Sequence, residues 1–233
     1  MADVGESVDN TTLILNLLKE KAVVKQDVYQ KTLEVFNTTK KVVKYLINNY
    51  KKQLKDTSQK IPLEFINKST FEAEMRVAGD LLVFNMHSNI FEFPQEHWIW
   101  KNKYVKENEN NSYCGIINIY NFLADSFKYN RVNDYGYIIA RIFVNHEGYY
   151  FVEGNQDFGS INDDFGVKKI DISILREIIQ YLILYSIEVD LLVPDIKDIQ
   201  ITTVSQMLDK QNLSRMKTGK PMGFRSSVDN NIE

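Results

Sequence analysis

Four polar residues on predicted β-strands could together bind a small ligand. Asn85 and His87 alternate along one strand, and Arg141 and Glu153 lie on the two strands of a hairpin. Residues two apart in a strand share a face, and Arg141 shares its face with apolar residues. Its charge therefore needs a carboxylate or a ligand to offset desolvation. The sequence leaves open a structural pair with Glu153, a solvent-directed side chain, an anion or small-ligand contact, and a catalytic role.

Acids and lysines in two other places could support metal-dependent hydrolysis. A metal-dependent nuclease needs carboxylates that hold the metal and a lysine that supports the attacking water. Asp125 and Lys128 form one weaker candidate group, and residues 195–197, Asp-Ile-Lys, have the required spacing. That triplet follows a predicted helix rather than lying on a strand, and such short patterns arise often by chance. A hydrolase would use Asp125, Glu153 or Asp195.

Residues that commonly bind metals or act as nucleophiles are sparse in this chain. His87, His97 and His146 include no two that are close enough in sequence to form a local ligand pair. Cys114 lies beside Gly115 in an apolar run, which is typical of a buried and inert thiol. There is no glycine-rich phosphate loop, CxxC, HExxH, GxSxG or EF-hand series. The sequence therefore predicts no metal site and no cofactor, and favours a non-enzymatic protein.

The composition indicates a folded chain without a strong global charge. Of 233 residues, 44% are hydrophobic and 12% are aromatic, enough for a substantial core. The net charge of −3 would not concentrate nucleic acid or an anionic membrane. Acids stand near the N-terminus where a secretory signal has basic residues, and no apolar run reaches the roughly 20 residues of a spanning helix. We expect a cytoplasmic protein without membrane binding, and the sequence disfavours nucleic-acid binding.

Residues 11–57 are predicted to form a long amphipathic helix, because they include no glycine or proline. A stripe with alternating steps of four and three residues runs along it. The stripe consists of Val28, Thr32, Val35, Thr39, Val42 and Leu46. It is typical of a homodimer helix or of a helix that covers the chain's own sheet, and the threonines favour the second interpretation. Charges at residues 19–27 interrupt the pattern, so a kink or a helical hairpin is also compatible.

Residues 61–208 are predicted to form an α+β core packed on this helix. The clearest strands, 137–144 and 149–153, are joined by a turn that ends in Gly148. Asp171 can cap a helix over residues 172–188, whose broad apolar surface predicts burial on both sides. We therefore predict an antiparallel sheet of about five strands, covered by the long N-terminal helix and a buried C-terminal helix. Segment 113–123 could begin as a strand and end as a short helix through Asp125, and its type stays open.

Both ends of the chain are predicted to be flexible, over residues 1–10 and 209–233. The second is a basic tail whose first acid is Asp229. Its positive charges are Lys210, Arg215, Lys217, Lys220 and Arg225. This composition is typical of an unstructured terminus, and a segment that folds onto a protein partner is the alternative.

These patterns support three functions, in this order of preference. The first is a non-enzymatic regulatory or protein-interaction protein that forms a homodimer through the stripe between Val28 and Leu46. The second is a small-ligand-binding sensor domain that uses the sheet face around Arg141. The third is the metal-dependent hydrolase or nuclease.

Overall fold

A sheet of six antiparallel strands, arranged in chain order, forms the centre of the fold. The computed structural model describes residues 9–57, 60–154 and 165–191. The strands are β1 (Leu63–Asn67), β2 (Glu72–Val77), β3 (Asp80–Met86), β4 (Gly115–Leu123), β5 (Tyr137–Val144) and β6 (Tyr150–Gly154). The predicted α+β fold with an antiparallel sheet is confirmed, with six strands rather than about five.

The strand whose type the sequence left open is β4, which lies between β3 and β5 in the sheet. Asn118 and Asn121 interrupt its apolar pattern, and long-range pairing accommodates the second of them. Asn121 is buried and its side-chain amide donates a hydrogen bond to Asp80 Oδ1 at 3.2 Å. The chain then passes directly into the short helix α4 (Ala124–Lys128). A segment that begins as a strand and ends as a helix was one of the predicted alternatives.

One continuous helix runs from Asn10 to Gln53. It consists of α1 (Asn10–Leu17), a π-helical turn (Leu18–Ala22) and α2 (Val23–Gln53). The structure therefore contains neither a hairpin nor a separate first helix. The extra residue in a π-helical turn rotates all preceding side chains around the helix axis. The side chains of α1 therefore do not continue the stripe of α2 in register.

The α2 stripe is buried against the chain's own sheet. Its six residues, from Val28 to Leu46, are at most 7% exposed. The two threonines satisfy their hydroxyls within the helix, since Thr32 Oγ1 donates to the Val28 carbonyl at 2.7 Å and Thr39 Oγ1 to the Val35 carbonyl at 2.9 Å. The interpretation as a sheet-covering helix therefore describes the structure, and a homodimer would need a different surface from this stripe.

A second helix, α5 (Ile172–Glu188), packs beside α2 over the same sheet face. Its buried apolar residues are Leu175, Ile178, Ile179, Leu182 and Ile183. Leu184 and Ile187, on its outer side, are 59% and 51% exposed. The predicted buried C-terminal helix is confirmed. In the part of the chain that the structure describes, nothing covers Leu184 and Ile187 on its outer side.

Two local signals have the predicted geometry. The Asp171 carboxylate caps α5 by accepting a hydrogen bond from the backbone N–H of Ile174 at 2.8 Å. Gly148 has a φ of +86° in the turn between β5 and β6, a conformation that favours glycine. The buried Asn145 side chain completes this turn by accepting from the N–H groups of Glu147 and Tyr149.

The other sheet face is covered at one end by the chain between β3 and β4. This connection contains α3 (Lys103–Glu107) and two short 3-10 helices, Trp98–Lys101 and Glu109–Ser112. It contributes Phe93, Ile99, Val105 and Cys114 to an aromatic cluster with Ile116, Phe143, Phe151 and Phe165. Among the described residues, this cluster leaves the β2–β4 part of the face open. We call that part, with the adjoining surface of β5 and β6, the open face.

Residues 1–8, 58–59, 155–164 and 192–233 lie outside the described residues. They include most of the predicted flexible N-terminus, the Asp195 triplet and the whole basic tail from Lys210 to Arg225.

We expect the contact between α2 and β4 to be intolerant of added volume at Gly115. A Cβ atom there would lie 2.8 Å from both Cβ and Cγ2 of Thr32, and closer still to its Oγ1. Gly115→Ala should therefore lower the free energy of unfolding, measured by urea denaturation, by about 1–3 kcal/mol. Gly79→Ala is the matched control, because no atom lies within 4 Å of the added Cβ. Equal effects at the two glycines would contradict this account of the helix–sheet contact.

Candidate binding face of the sheet

The antiparallel register aligns polar residues from five strands in one row across the open face. Residues directly opposite each other on neighbouring strands point to the same side of a sheet. Glu72 lies opposite Asn85, Asn85 opposite Asn118, Asn118 opposite Arg141, and Arg141 opposite Glu153. We call these five residues the polar row. Three of the four predicted binding residues belong to it, and the sequence did not identify Glu72 or Asn118.

His87, the fourth predicted residue, lies just beyond β3 and outside the polar row. Its Nδ1 atom accepts a hydrogen bond from the backbone N–H of Asn89 at 3.0 Å. Its ring packs edge-on against Phe91, with centroids 4.7 Å apart. These contacts hold His87 in the local turn after β3, at the border of the open face.

Arg141 and Glu153 form an ion pair across β5 and β6. The guanidinium Nη2 atom donates to Glu153 Oε2, and the side chains of Arg141 and Glu153 are 41% and 24% exposed. The guanidinium also lies over the Phe143 ring, 5.3 Å from its centroid. The geometry therefore supports the interpretation of Arg141 as a structural ion pair with Glu153.

His97 joins this pair from the connection that covers the end of the sheet. Its Nε2 atom is 3.4 Å from Glu153 Oε1, while Nδ1 accepts a hydrogen bond from the backbone N–H of Ile99. An Nδ1 acceptor makes Nε2 the protonated nitrogen of the neutral ring, so Nε2 donates to the carboxylate. The ring stacks on Phe93 with centroids 4.5 Å apart. The sequence missed this residue because it lies 56 positions from Glu153.

The opposite end of the polar row borders a depression of about 340 Å³. Its aromatic side is formed by Tyr120, Phe122 and Phe127, and its remaining walls by Glu72, Glu74, Val83 and Asn85. Phe122 and Phe127 meet edge to face, with centroids 5.2 Å apart. Gly136 lies against the Phe122 ring so closely that any side chain at that position would overlap it. This packing fixes the orientation of the aromatic wall before any ligand binds.

The carboxylates of the depression differ in their pairing. Glu74 is almost completely buried and its Oε1 atom is 3.0 Å from Lys68 Nζ. Within the described residues, the half-buried Glu72 side chain makes no salt bridge, and neither it, Asn85 nor Asn118 has a side-chain hydrogen bond. The polar row therefore contains a saturated half, Arg141 and Glu153, and an unsaturated half with one negative charge.

The weaker candidates do not assemble into a catalytic arrangement among the described residues. Asp125 and Lys128 are both exposed on α4, and Lys128 Nζ lies 4.8 Å from the centroid of the Tyr129 ring. A hydrogen bond with Tyr129 raises the pKa of Lys128. No group of three or more His, Cys, Asp or Glu side chains suited to a metal ion occurs in residues 9–57, 60–154 and 165–191. Asp195 lies outside these ranges.

Comparisons with protein-family models, with curated proteins and with solved structures each found no match for this chain. In the part of the chain that the structure describes, no helix is long and apolar enough to cross a membrane.

Disruption of the Arg141–Glu153 pair should measurably lower the free energy of unfolding. Arg141→Met and Glu153→Gln each leave a partly buried charge without its partner, so each should lower the free energy of unfolding by about 1 kcal/mol. The double variant should cost less than the two single variants added together. The exposed pair Lys103 and Glu107, separated by 4.0 Å, is the control and should show additive effects. Additivity at both pairs would contradict the structural role assigned to Arg141.

Cys114 should behave as an inert thiol. It is completely buried in the aromatic cluster, and this burial strongly raises the pKa of its thiol. Since the thiolate is the reactive form, a thiol-specific reagent should label the native chain slowly at neutral pH. Labelling should become rapid once the chain is unfolded in urea. Rapid labelling of the native protein would reopen the question of a nucleophilic role.

Proposed function

We propose that this protein is a non-enzymatic ligand-binding domain of the regulatory, sensor type, and that its open face binds a small organic cation. The observation that carries the proposal is the position of Glu72. Its half-buried carboxylate lines the depression together with Tyr120, Phe122 and Phe127, and it makes no salt bridge within the described residues. A volume of about 340 Å³ suits a small ligand.

The pairing of Arg141 argues for a cation rather than an anion. An anionic ligand at Arg141 would have to compete with Glu153, whose second oxygen is held by His97. At the other end of the row, Glu72 forms no ion pair with a described residue, so a ligand would not have to displace a partner. A ligand cation there would gain a charge-assisted hydrogen bond without breaking an existing ion pair.

The surrounding groups fit an ammonium or guanidinium group on an apolar body. Aromatic faces attract cations through the negative charge density of their rings, and Tyr120 and Phe127 line the same depression as Glu72. The unpaired amides of Asn85 and Asn118 can accept or donate hydrogen bonds further along the row. A free amine and a lysine or arginine side chain of a peptide share this chemistry.

The proposal is tested by titrating the full chain with simple probes and following backbone amide shifts by NMR. Agmatine and butylamine represent free amines, and tetramethylammonium tests the attraction of a cation that cannot donate a hydrogen bond. A short peptide with one arginine represents the second source, and propionate is the anionic control. The cations should shift signals of β2, β3 and β4, and propionate should not. Glu72→Gln should weaken cation binding about tenfold, equivalent to about 1.4 kcal/mol. Tyr120→Leu should weaken it about threefold, from a cation–π contribution of about 0.5–1 kcal/mol.

Glu64→Gln is the matched control for loss of a carboxylate. Glu64 lies on β1 opposite Arg76, on the same side of the sheet but outside the depression. Its removal should leave cation binding unchanged. Equal losses in Glu64→Gln and Glu72→Gln would indicate a diffuse electrostatic effect and contradict the proposed site. Binding of propionate that depends on Arg141 would instead establish an anion site at the other end of the row.

A further inference from the structure

The first thirteen residues of the long helix form an apolar segment that the core does not cover. We call residues 10–22, which include α1 and the π-helical turn, the N-terminal extension. Every residue of the extension is exposed, including five large apolar side chains that are between 47% and 56% exposed. These five are Leu13, Ile14, Leu15, Leu17 and Leu18.

The apolar residues of the extension surround the helix rather than forming one stripe. At 100° per residue, Leu13, Ile14 and Leu15 point in three different directions. A helix that is apolar all round is normally enclosed by other structure. The α2 stripe meets this requirement inside the chain's own core, whereas no described residue encloses the extension.

We propose that the N-terminal extension is a dimerisation helix, which pairs antiparallel with the same segment of a second copy of this chain. The extension is held in place for this role at its base. The ammonium groups of Lys21 and Lys25 lie over the Tyr113 ring, 5.5 and 5.1 Å from its centroid. Tyr113 itself is buried in the core. The extension therefore projects from a fixed point on the core.

The charge pattern of the extension favours the antiparallel direction. When two copies run antiparallel with Lys19 of each copy beside Glu20 of the other, residues 10–29 of the two copies overlap and Leu17 lies beside Ala22. In a parallel pair, each of these charged residues would lie beside its own like-charged equivalent, which is destabilising. Opposite charges at the centre and apolar residues on both sides make the segment complementary to itself.

A groove at the base of the extension can receive the tip of the partner helix. It lies between the first turns of α2 and the loop after β3, and has a volume of about 710 Å³. Lys25, Gln26 and Tyr29 line one side, and Ile90 and Phe91 line the other. The extension is about 20 Å long at 1.5 Å per residue. In the register that pairs Lys19 with Glu20, Leu13 of one copy lies beside Gln26 of the other, at the groove.

The combined surface has the size of a specific interface. The extension and the groove together provide about twenty residues on each copy, and specific interfaces commonly use about 20–30 residues per partner. Each copy contributes both a tip and a groove, as a two-fold symmetric contact requires. A second copy thus covers the side of the extension that packs against it.

Light scattering after gel filtration of the full chain, over a range of micromolar concentrations, tests the association. The wild-type chain should be a dimer, and Ile14→Lys/Leu17→Lys should be a monomer. Leu184→Lys/Ile187→Lys on the outer side of α5 is the matched control, because these residues are equally exposed, and it should remain dimeric. Circular dichroism should show the same helix content for both double variants, so that loss of the dimer is not caused by unfolding, while the melting temperature of the monomeric variant should be lower.

Disulfide cross-linking tests the direction of the pair. Cys114 is completely buried, so an introduced cysteine is the accessible thiol. A mixture of Thr12→Cys and Gln26→Cys chains should form a cross-linked dimer on mild oxidation, and each variant alone should not. Self-linking of Thr12→Cys would indicate a parallel pair and overturn the proposal. A monomeric wild-type chain, or a dimer that persists in Ile14→Lys/Leu17→Lys, would overturn it as well, whatever else the extension binds.

Discussion

The close packing of α2 on one face of the sheet is the constraint on which the rest of the structure depends. Gly115 on β4 lies against Thr32 of the stripe, so backbone and helix approach without an intervening side chain. Apolar side-chain packing along the rest of the stripe commits this sheet face to α2 and α5. Among the described residues, the connection between β3 and β4 covers one end of the other face, together with Phe165. The open face is the part that remains, and its strand positions are correspondingly polar.

Strand register gives the open face its chemical character. The five residues of the polar row come from five strands, and no two of them are adjacent in sequence. Pairing neutralises Arg141 with Glu153 and leaves Glu72 as the charge that a ligand can reach. Arg141, which the sequence predicts to bind a ligand, is therefore the member of the row least able to do so. Glu72, which the sequence did not identify, is the member most able to do so.

Local signals account for the parts of the fold that the sequence predicted, and long-range pairing accounts for those that it did not. The Asp171 cap, the Gly148 turn and the α2 stripe each depend on residues within a few positions of one another. The strand β4 carries two asparagines whose cross-strand neighbours lie on β3 and β5, so its own pattern is ambiguous. His97 reaches Glu153 only because the aromatic cluster folds its connection over β6. Spacing along the chain does not predict such a contact.

The two parts of the long helix, the N-terminal extension and α2, show why a heptad-like stripe does not by itself identify a dimer. The stripe of α2 has the spacing expected for a dimer, yet it is enclosed by the sheet beneath it. The extension lacks a regular stripe, and its leucines lie beyond the core because the helix starts before the sheet can cover it. The π-helical turn separates the two parts and changes the phase of their side chains. Exposure in the folded chain, rather than periodicity, therefore distinguishes a surface that is available for association from one already used in folding.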